Sequence, residues 1–140
     1  MLTYRILIAG AIAGVLANVS GYLITGRLFH PYQSRTPDTW RKSESWTHYQ
    51  YATAVRIAAC IAIALLYGAI GTLMPAVHER SVLGGALFGA ILWAVTILPT
   101  ILEVSLFVNW HRGFIAGLLL DWLVVCVMAG GFAAFALRAV

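Results

Sequence analysis

GFIAGLLLDWLVVCVMAGGFAAFAL, residues 113–137, runs for 25 residues with a single charged side chain, Asp121. A helix needs about 20 mostly apolar residues to cross the hydrocarbon of a bilayer, so this stretch reads as a membrane span. Working back from it, three more runs of the same kind lie at residues 6–25, 51–74 and 82–108. Turn or interface residues separate them: His30 and Pro31 after the first, Pro75 after the second, and Asn109-Trp110-His111-Arg112 between the third and fourth. The last two connections are short, which makes neighbouring helices antiparallel. The expected fold is all-α, a single domain over residues 1–140 built as an antiparallel bundle of four transmembrane helices, with a short interfacial helix in the first loop.

Composition points the same way. The chain is 61% hydrophobic and 10% charged, with a mean hydropathy of +0.88, whereas soluble domains carry about 25% charged residues. The longest polar stretch, residues 27–50, is too short to hold a soluble domain. A formal charge of +4 would suggest nucleic acid in a soluble protein; in a membrane protein it is loop charge that orients the helices, and no nucleic-acid partner is expected. Cys60 and Cys126 each sit inside an apolar run, where they read as small buried hydrophobes. Residues 1–17 resemble a signal peptide, with Arg5 ahead of an apolar run, but are read as a retained first span.

Lys and Arg gather in cytoplasmic loops. Arg27, Arg35, Arg41, Lys42 and Arg112 fall on the side of the first and third loops, against Arg5, Arg80 and Arg138 on the other. The expected orientation therefore places the first loop in the cytoplasm and both termini outside. Within that loop, Thr36-Pro37-Asp38 supplies a hydroxyl cap, a proline at the first helical position and an acid in the first turn. A helix is predicted to start at Pro37 and run over residues 37–50 into the second span, carrying Trp40, Trp46, Tyr49 and Tyr51. Aromatic and basic residues so mixed suit the headgroup level, and an aromatic belt is a commoner reading than a ligand platform.

Small residues four apart let membrane helices approach closely. Gly10 and Gly14, Gly85 and Gly89, and Gly113 and Gly117 all have this spacing. GAIAGVLANV from Gly10 also resembles GALFGAILWAV from Gly85, as an internal repeat of helix pairs would.

The polar residues inside the spans carry the functional expectation. Asn18, Arg56, Glu103 and Asp121 each lie about 7 to 12 Å along their helices from the face that bears the first and third loops. Each span thus contributes one polar group to one layer, with Tyr22, Thr96 and Thr100 around it. Charge in hydrocarbon costs on the order of 2.5 to 3.5 kcal/mol, so these carboxylates need a partner or water, and Arg56 is expected to pair with Glu103 or Asp121. One arginine against two acids leaves one negative charge over, to be met by a proton, a second cation or a cationic ligand. Pro99 cannot donate to the Val95 carbonyl and should kink the third span, with Thr96 or Thr100 near the freed backbone. The candidate ligand or ion site is Asn18, Tyr22, Arg56, Thr96, Thr100, Glu103 and Asp121. His30, Trp40, Trp46, His48, His111 and Arg112 form its interfacial rim.

His30, His48 and His111 lack metal-ligand spacing, and solvated interfacial histidines are expected; no cofactor or metal is predicted. Nor is there an activated nucleophile, a phosphate-cradling loop or a dinucleotide fingerprint.

GYLITGRLF (residues 21–29) followed by Trp40, then HERSVLGGALFGAILW (78–93) and LFVNWHRGFIAGLLLDWLVVCVMAGG (106–131), resembles a pattern in small bacterial four-helix integral membrane proteins of unknown function. Tyr22 stands where that pattern carries tryptophan. The resemblance implies a four-helix fold in a bacterial inner membrane and no particular activity.

Three function classes make different demands on the polar layer. A binding or transport protein for a small molecule or ion needs a cavity open on the first-loop face. An accessory or assembly subunit needs a closed network and a conspicuous lipid-facing stripe, with membrane lipids and a protein partner or a second copy around it. An enzyme needs a carboxyl and an interfacial histidine within proton-transfer reach. The expectation runs in that order.

Overall fold

The computed structural model describes residues 2–39, 45–73 and 81–138, and among them every regular element is helical. Helix α1 (Leu2–Gly21) passes into a π-helical stretch, Tyr22–Phe29, and then a 3₁₀ stretch, His30–Arg35. The first membrane helix therefore continues past residue 25, where the sequence reading ended it. Gly21 keeps right-handed helical angles, φ −62° and ψ −40°, and Pro31 falls in the first turn of the 3₁₀ stretch, where its missing N–H costs nothing.

Pro37–Thr39 forms one 3₁₀ turn. Trp40, Arg41, Lys42 and Glu44 lie outside the described residues. The predicted continuous helix from Pro37 into the second span does not form, because Ser45 is extended, with φ −110° and ψ 156°, and starts a new helix. That helix, α2 (Trp46–Ile70), has its entry fixed by the Ser45 N–H donating to His48 Nδ1 at 3.1 Å. Trp46 to Gln50 are thus its exposed first turns, and a 3₁₀ turn, Gly71–Leu73, closes the span. Pro75, His78 and Arg80 fall outside the described residues.

The third span is α3 (Val82–Leu92), a π turn over Trp93–Ile97, and α4 (Leu98–Phe107). Ser81 caps it, its hydroxyl accepting from the Gly84 N–H at 2.8 Å. Pro99 is accommodated by the wider turn before it, in which the Leu98 N–H reaches back to the Trp93 carbonyl. The threonines do not serve the Val95 carbonyl as anticipated: Thr96 Oγ1 donates to the Leu92 carbonyl at 2.6 Å and Thr100 Oγ1 to the Thr96 carbonyl at 2.7 Å. The fourth span is α5 (Arg112–Arg138).

Four stretches, Thr3–Arg35, Trp46–Ile70, Val82–Phe107 and Arg112–Arg138, are long and apolar enough to cross a membrane. The chain is a four-helix membrane bundle. Leu83, Leu106, Phe107 and Phe135 are exposed on its outer surface, a pattern suited to lipid contact. The interior is small and aliphatic, with Ala13, Ala17, Ala64, Ala129 and Ala133 all fully buried. Tyr67 meets Phe88 edge to face inside it, ring centroids 5.3 Å apart.

Helix α5 is the hub, packing against α1, α2 and α3 and against the π stretch of the first span. Its contact with α4 is slight, so the third span leaves the bundle beyond its π turn. Glycines set the two tightest seams. A methyl group at Gly10 or Gly14 would sit 2.7 Å from the Ile61 or Ile57 Cα of α2. One at Gly85 or Gly89 would land on the Gly130 or Cys126 carbonyl of α5. The third glycine pair works differently: Gly113 and Gly117 face the rings of Tyr32 and Phe29, docking the end of the first span onto α5.

Those aromatics also fix the topology. Tyr32 stacks on His111, ring centroids 4.8 Å apart and planes at 9°, and Thr39 Oγ1 donates to the Asn109 carbonyl at 3.3 Å. The first and third loops therefore share one face of the bundle, as the antiparallel reading required.

Candidate functional site

Arg56 lies almost three turns into α2 and points across the bundle at α5. Its Nη1 donates to Asp121 Oδ1 at 2.9 Å and its Nη2 to Asp121 Oδ2 at 2.7 Å, a two-pronged ion pair. Nη1 also donates to the Ala17 carbonyl at 2.9 Å, and Thr25 Oγ1 donates to Asp121 Oδ2 at 3.1 Å. Spans one, two and four thus meet at one carboxylate. The Trp122 ring stacks beside the guanidinium, 5.7 Å from Cζ to centroid. Gly21 makes room for it, since a methyl group there would overlap Arg56 Nη1.

The pair is asymmetric in exposure. Asp121 is wholly buried, while the Arg56 side chain is 18% exposed. Arg56 belongs to the wall of a half-open cavity of about 910 Å³ between the first span and α2, on the face of the first loop, whose largely apolar surface carries several polar groups. Asn18, Tyr22 and Thr25 line it from one side, Thr53 and His48 from the other, and His30 and Gln33 from the 3₁₀ stretch. Tyr22 and Tyr49, both more than half exposed, belong to the same lining.

Of the residues expected in the polar layer, Arg56 and Asp121 pair, and Asn18, Tyr22, His30 and His48 share the cavity. Asn18 Nδ2 donates to the Gly14 carbonyl of its own helix at 2.8 Å, and the Tyr22 hydroxyl accepts from Arg27 Nε at 2.9 Å. Glu103, Thr96 and Thr100 do not join. All three are exposed on the outside of the third span, and no described cation meets Glu103. The anticipated surplus negative charge therefore does not exist at the site: Arg56 and Asp121 balance. On the rim, His111 stacks on Tyr32 and accepts from the Gly113 N–H at 3.0 Å. Arg112 and Trp46 are exposed at helix starts, and Trp40 lies outside the described residues.

Thr25, Gln33, Thr53 and Trp122 were missed. Two of them left a signal. Thr25 follows Asn18 by seven residues and Thr53 precedes Arg56 by three, spacings that share a helix face.

Comparison with protein-family models, with curated proteins and with solved structures finds no match for this chain. Its chemistry must be read from the side chains themselves. Both Asp121 oxygens are engaged by Arg56, and Oδ2 by Thr25 as well, so the carboxylate is committed to these partners. Among the described residues no three His, Cys, Asp or Glu side chains converge as a metal site. What the arrangement offers is a guanidinium held from behind, facing a space lined with amide, hydroxyl and imidazole groups.

Proposed function

We propose that this protein binds a small polar molecule in the cavity between its first two spans and passes it through the membrane from the first-loop face. The observation that carries the reading is the cavity, with part of its wall formed by a buried arginine ion pair. At about 910 Å³ it lies near the upper end of small-molecule sites, which favours a molecule over a bare ion as the cargo. Irregular helix borders it: the π stretch Tyr22–Phe29 supplies several lining residues. Such stretches gather at functional sites, and non-ideal helices near polar groups are a common device of transporters. In this reading the first loop is cytoplasmic, both termini are outside, and the membrane is a bacterial inner membrane. A cysteine at Ser43 should then resist an impermeant thiol reagent in intact cells, and labelling there would reverse the orientation.

Filling the cavity tests the binding reading. Purified with its native lipid, the wild-type protein should retain a small molecule detectable by mass spectrometry, and Thr53→Trp should lose it while unfolding at the same temperature as wild-type protein stripped of that molecule. Equal retention by both would count against the cavity.

One observation favours a second role, as a subunit of a membrane assembly. Glu103 stands with Thr96 and Thr100 on the exposed side of the third span, where α4 has little of its own bundle to pack on. A carboxylate facing lipid is costly, and a cationic or hydrogen-bonding neighbour from another chain would relieve it. A protein co-purifying in fixed ratio and lost in Glu103→Leu would support this role.

A further inference from the structure

We infer that the ligand of the cavity carries a phosphate ester, the group shared by soluble phosphorylated metabolites and phospholipid headgroups. This rests on the binding reading above and narrows it to one chemical class. The first support is the direction of the ion pair. Asp121 is wholly buried and absent from the lining, whereas Arg56 keeps some exposure and belongs to it, so the positive member of the pair is the one nearer the cavity although the net charge is zero. In a site of low dielectric such an oriented dipole favours an anion and opposes a cation.

A second support is the lining, in which no carboxylate occurs among the described residues. Several of its side chains are donors or can become donors: the Asn18 and Gln33 amides, the Thr53 hydroxyl, the His30 and His48 rings, and Arg56 itself. His48 adds detail, because Nδ1 accepts from the Ser45 N–H at 3.1 Å. In the neutral ring the proton then sits on Nε2.

Geometry selects phosphate over a planar carboxylate. Donors come from three chain segments: the first span, the 3₁₀ stretch and α2. A tetrahedral group with several acceptor oxygens can use donors from several directions, whereas a carboxylate pairs best with one fork in one plane. The volume leaves room for an organic body beyond the phosphate, and exposed Tyr22 and Tyr49 in the lining are residues that favour the headgroup level. Both a soluble ester and a lipid headgroup therefore fit.

The test uses the full chain in phosphatidylcholine nanodiscs, with glycerol 3-phosphate, glycerol and ethanolamine as probes followed by thermal unfolding. Parallel nanodiscs containing phosphatidylglycerol are followed by native mass spectrometry for retained lipid. Arg56→Gln combined with Asp121→Asn removes both charges together and leaves two amides able to bond each other, which protects the fold. His30→Gln leaves the pair untouched. A saturable rise in unfolding temperature with glycerol 3-phosphate alone, weakened on the order of tenfold or more in the double variant and less in His30→Gln, supports a soluble ester. No response to that ester, with one phosphatidylglycerol retained by the wild type and lost in the double variant, supports the headgroup source. Stabilisation by ethanolamine or glycerol instead, blocked by Thr53→Trp, overturns the phosphate inference and leaves the binding reading standing. No binding of any probe or lipid, together with indifference to Thr53→Trp, overturns both.

Discussion

The first and second spans form one helix pair, the third and fourth another, and both begin alike. At the end away from the first and third loops, Gly10 and Gly14 seat the first span on α2, and Gly85 and Gly89 seat α3 on α5. Towards the loop-bearing face the two pairs part company. In the first, the cationic Arg56 turns inward, is held by Asp121 from the neighbouring pair, and borders a cavity. In the second, the π turn at Trp93–Ile97 carries α4 off the bundle, and Glu103 faces outward. The difference shows what decides the fate of a charge inside a membrane protein. A charge with a partner across the helix interface is drawn into the bundle, and one at the same depth without a partner stays on the surface.

The largest expected effect comes from breaking the paired side. Arg56→Leu would strand a buried carboxylate and should cost about 3 to 5 kcal/mol of stability, read as a fall in unfolding temperature in detergent micelles. Adding Asp121→Leu should restore most of the loss, since the stranded charge goes with it. A double variant as unstable as the single would mean that the pair acts through shape and not charge.

Next come the glycine seams, which the comparison treats as equivalent. Gly89→Ala presses a methyl group onto the backbone carbonyl of Cys126, and Gly14→Ala presses one against the backbone at Ile57. Overpacking typically costs about 1 to 3 kcal/mol. Gly89→Ala should be the worse, because a carbonyl held in a helix cannot move aside, and unfolding the two variants side by side would rank the seams.

Smaller still is Thr25→Val, which keeps the shape and removes one hydrogen bond to Asp121. About 1 kcal/mol is expected, with the Arg56 pair intact. Smallest is Glu103→Gln, which should leave stability unchanged or raised when unfolded alone. A large loss there would reveal a partner for Glu103 and make the two helix pairs more alike than their geometry suggests.

Much of the site was legible before any coordinates, and the misses have one cause. Depth along a helix follows from counting residues, which is why Asn18, Arg56 and Asp121 could be assigned to one level. Glu103 is at that level too, and Thr96, Thr100 and Glu103, spaced four and three apart, share one exposed face. What counting cannot supply is which way the face turns. In a helix apolar all round, no contrast between sides marks the inward one. Thr25 escaped for a related reason: it was the last residue of the first span as read, and the π-helical stretch Tyr22–Phe29 turns it in a direction that α-helical counting does not give.

The sequence by itself determined that the chain has four membrane helices, which ends share a face, and that its buried arginine would take a carboxylate. Those follow from hydropathy, connection length and the cost of an unpaired charge in hydrocarbon, all of which act locally or pairwise. Tertiary structure alone decided that α5 is the hub, that Asp121 and not Glu103 is the partner, and that a cavity opens between the first span and α2. The rotation of each helix about its axis is set by how close its neighbours can come, and that depends on all four spans at once.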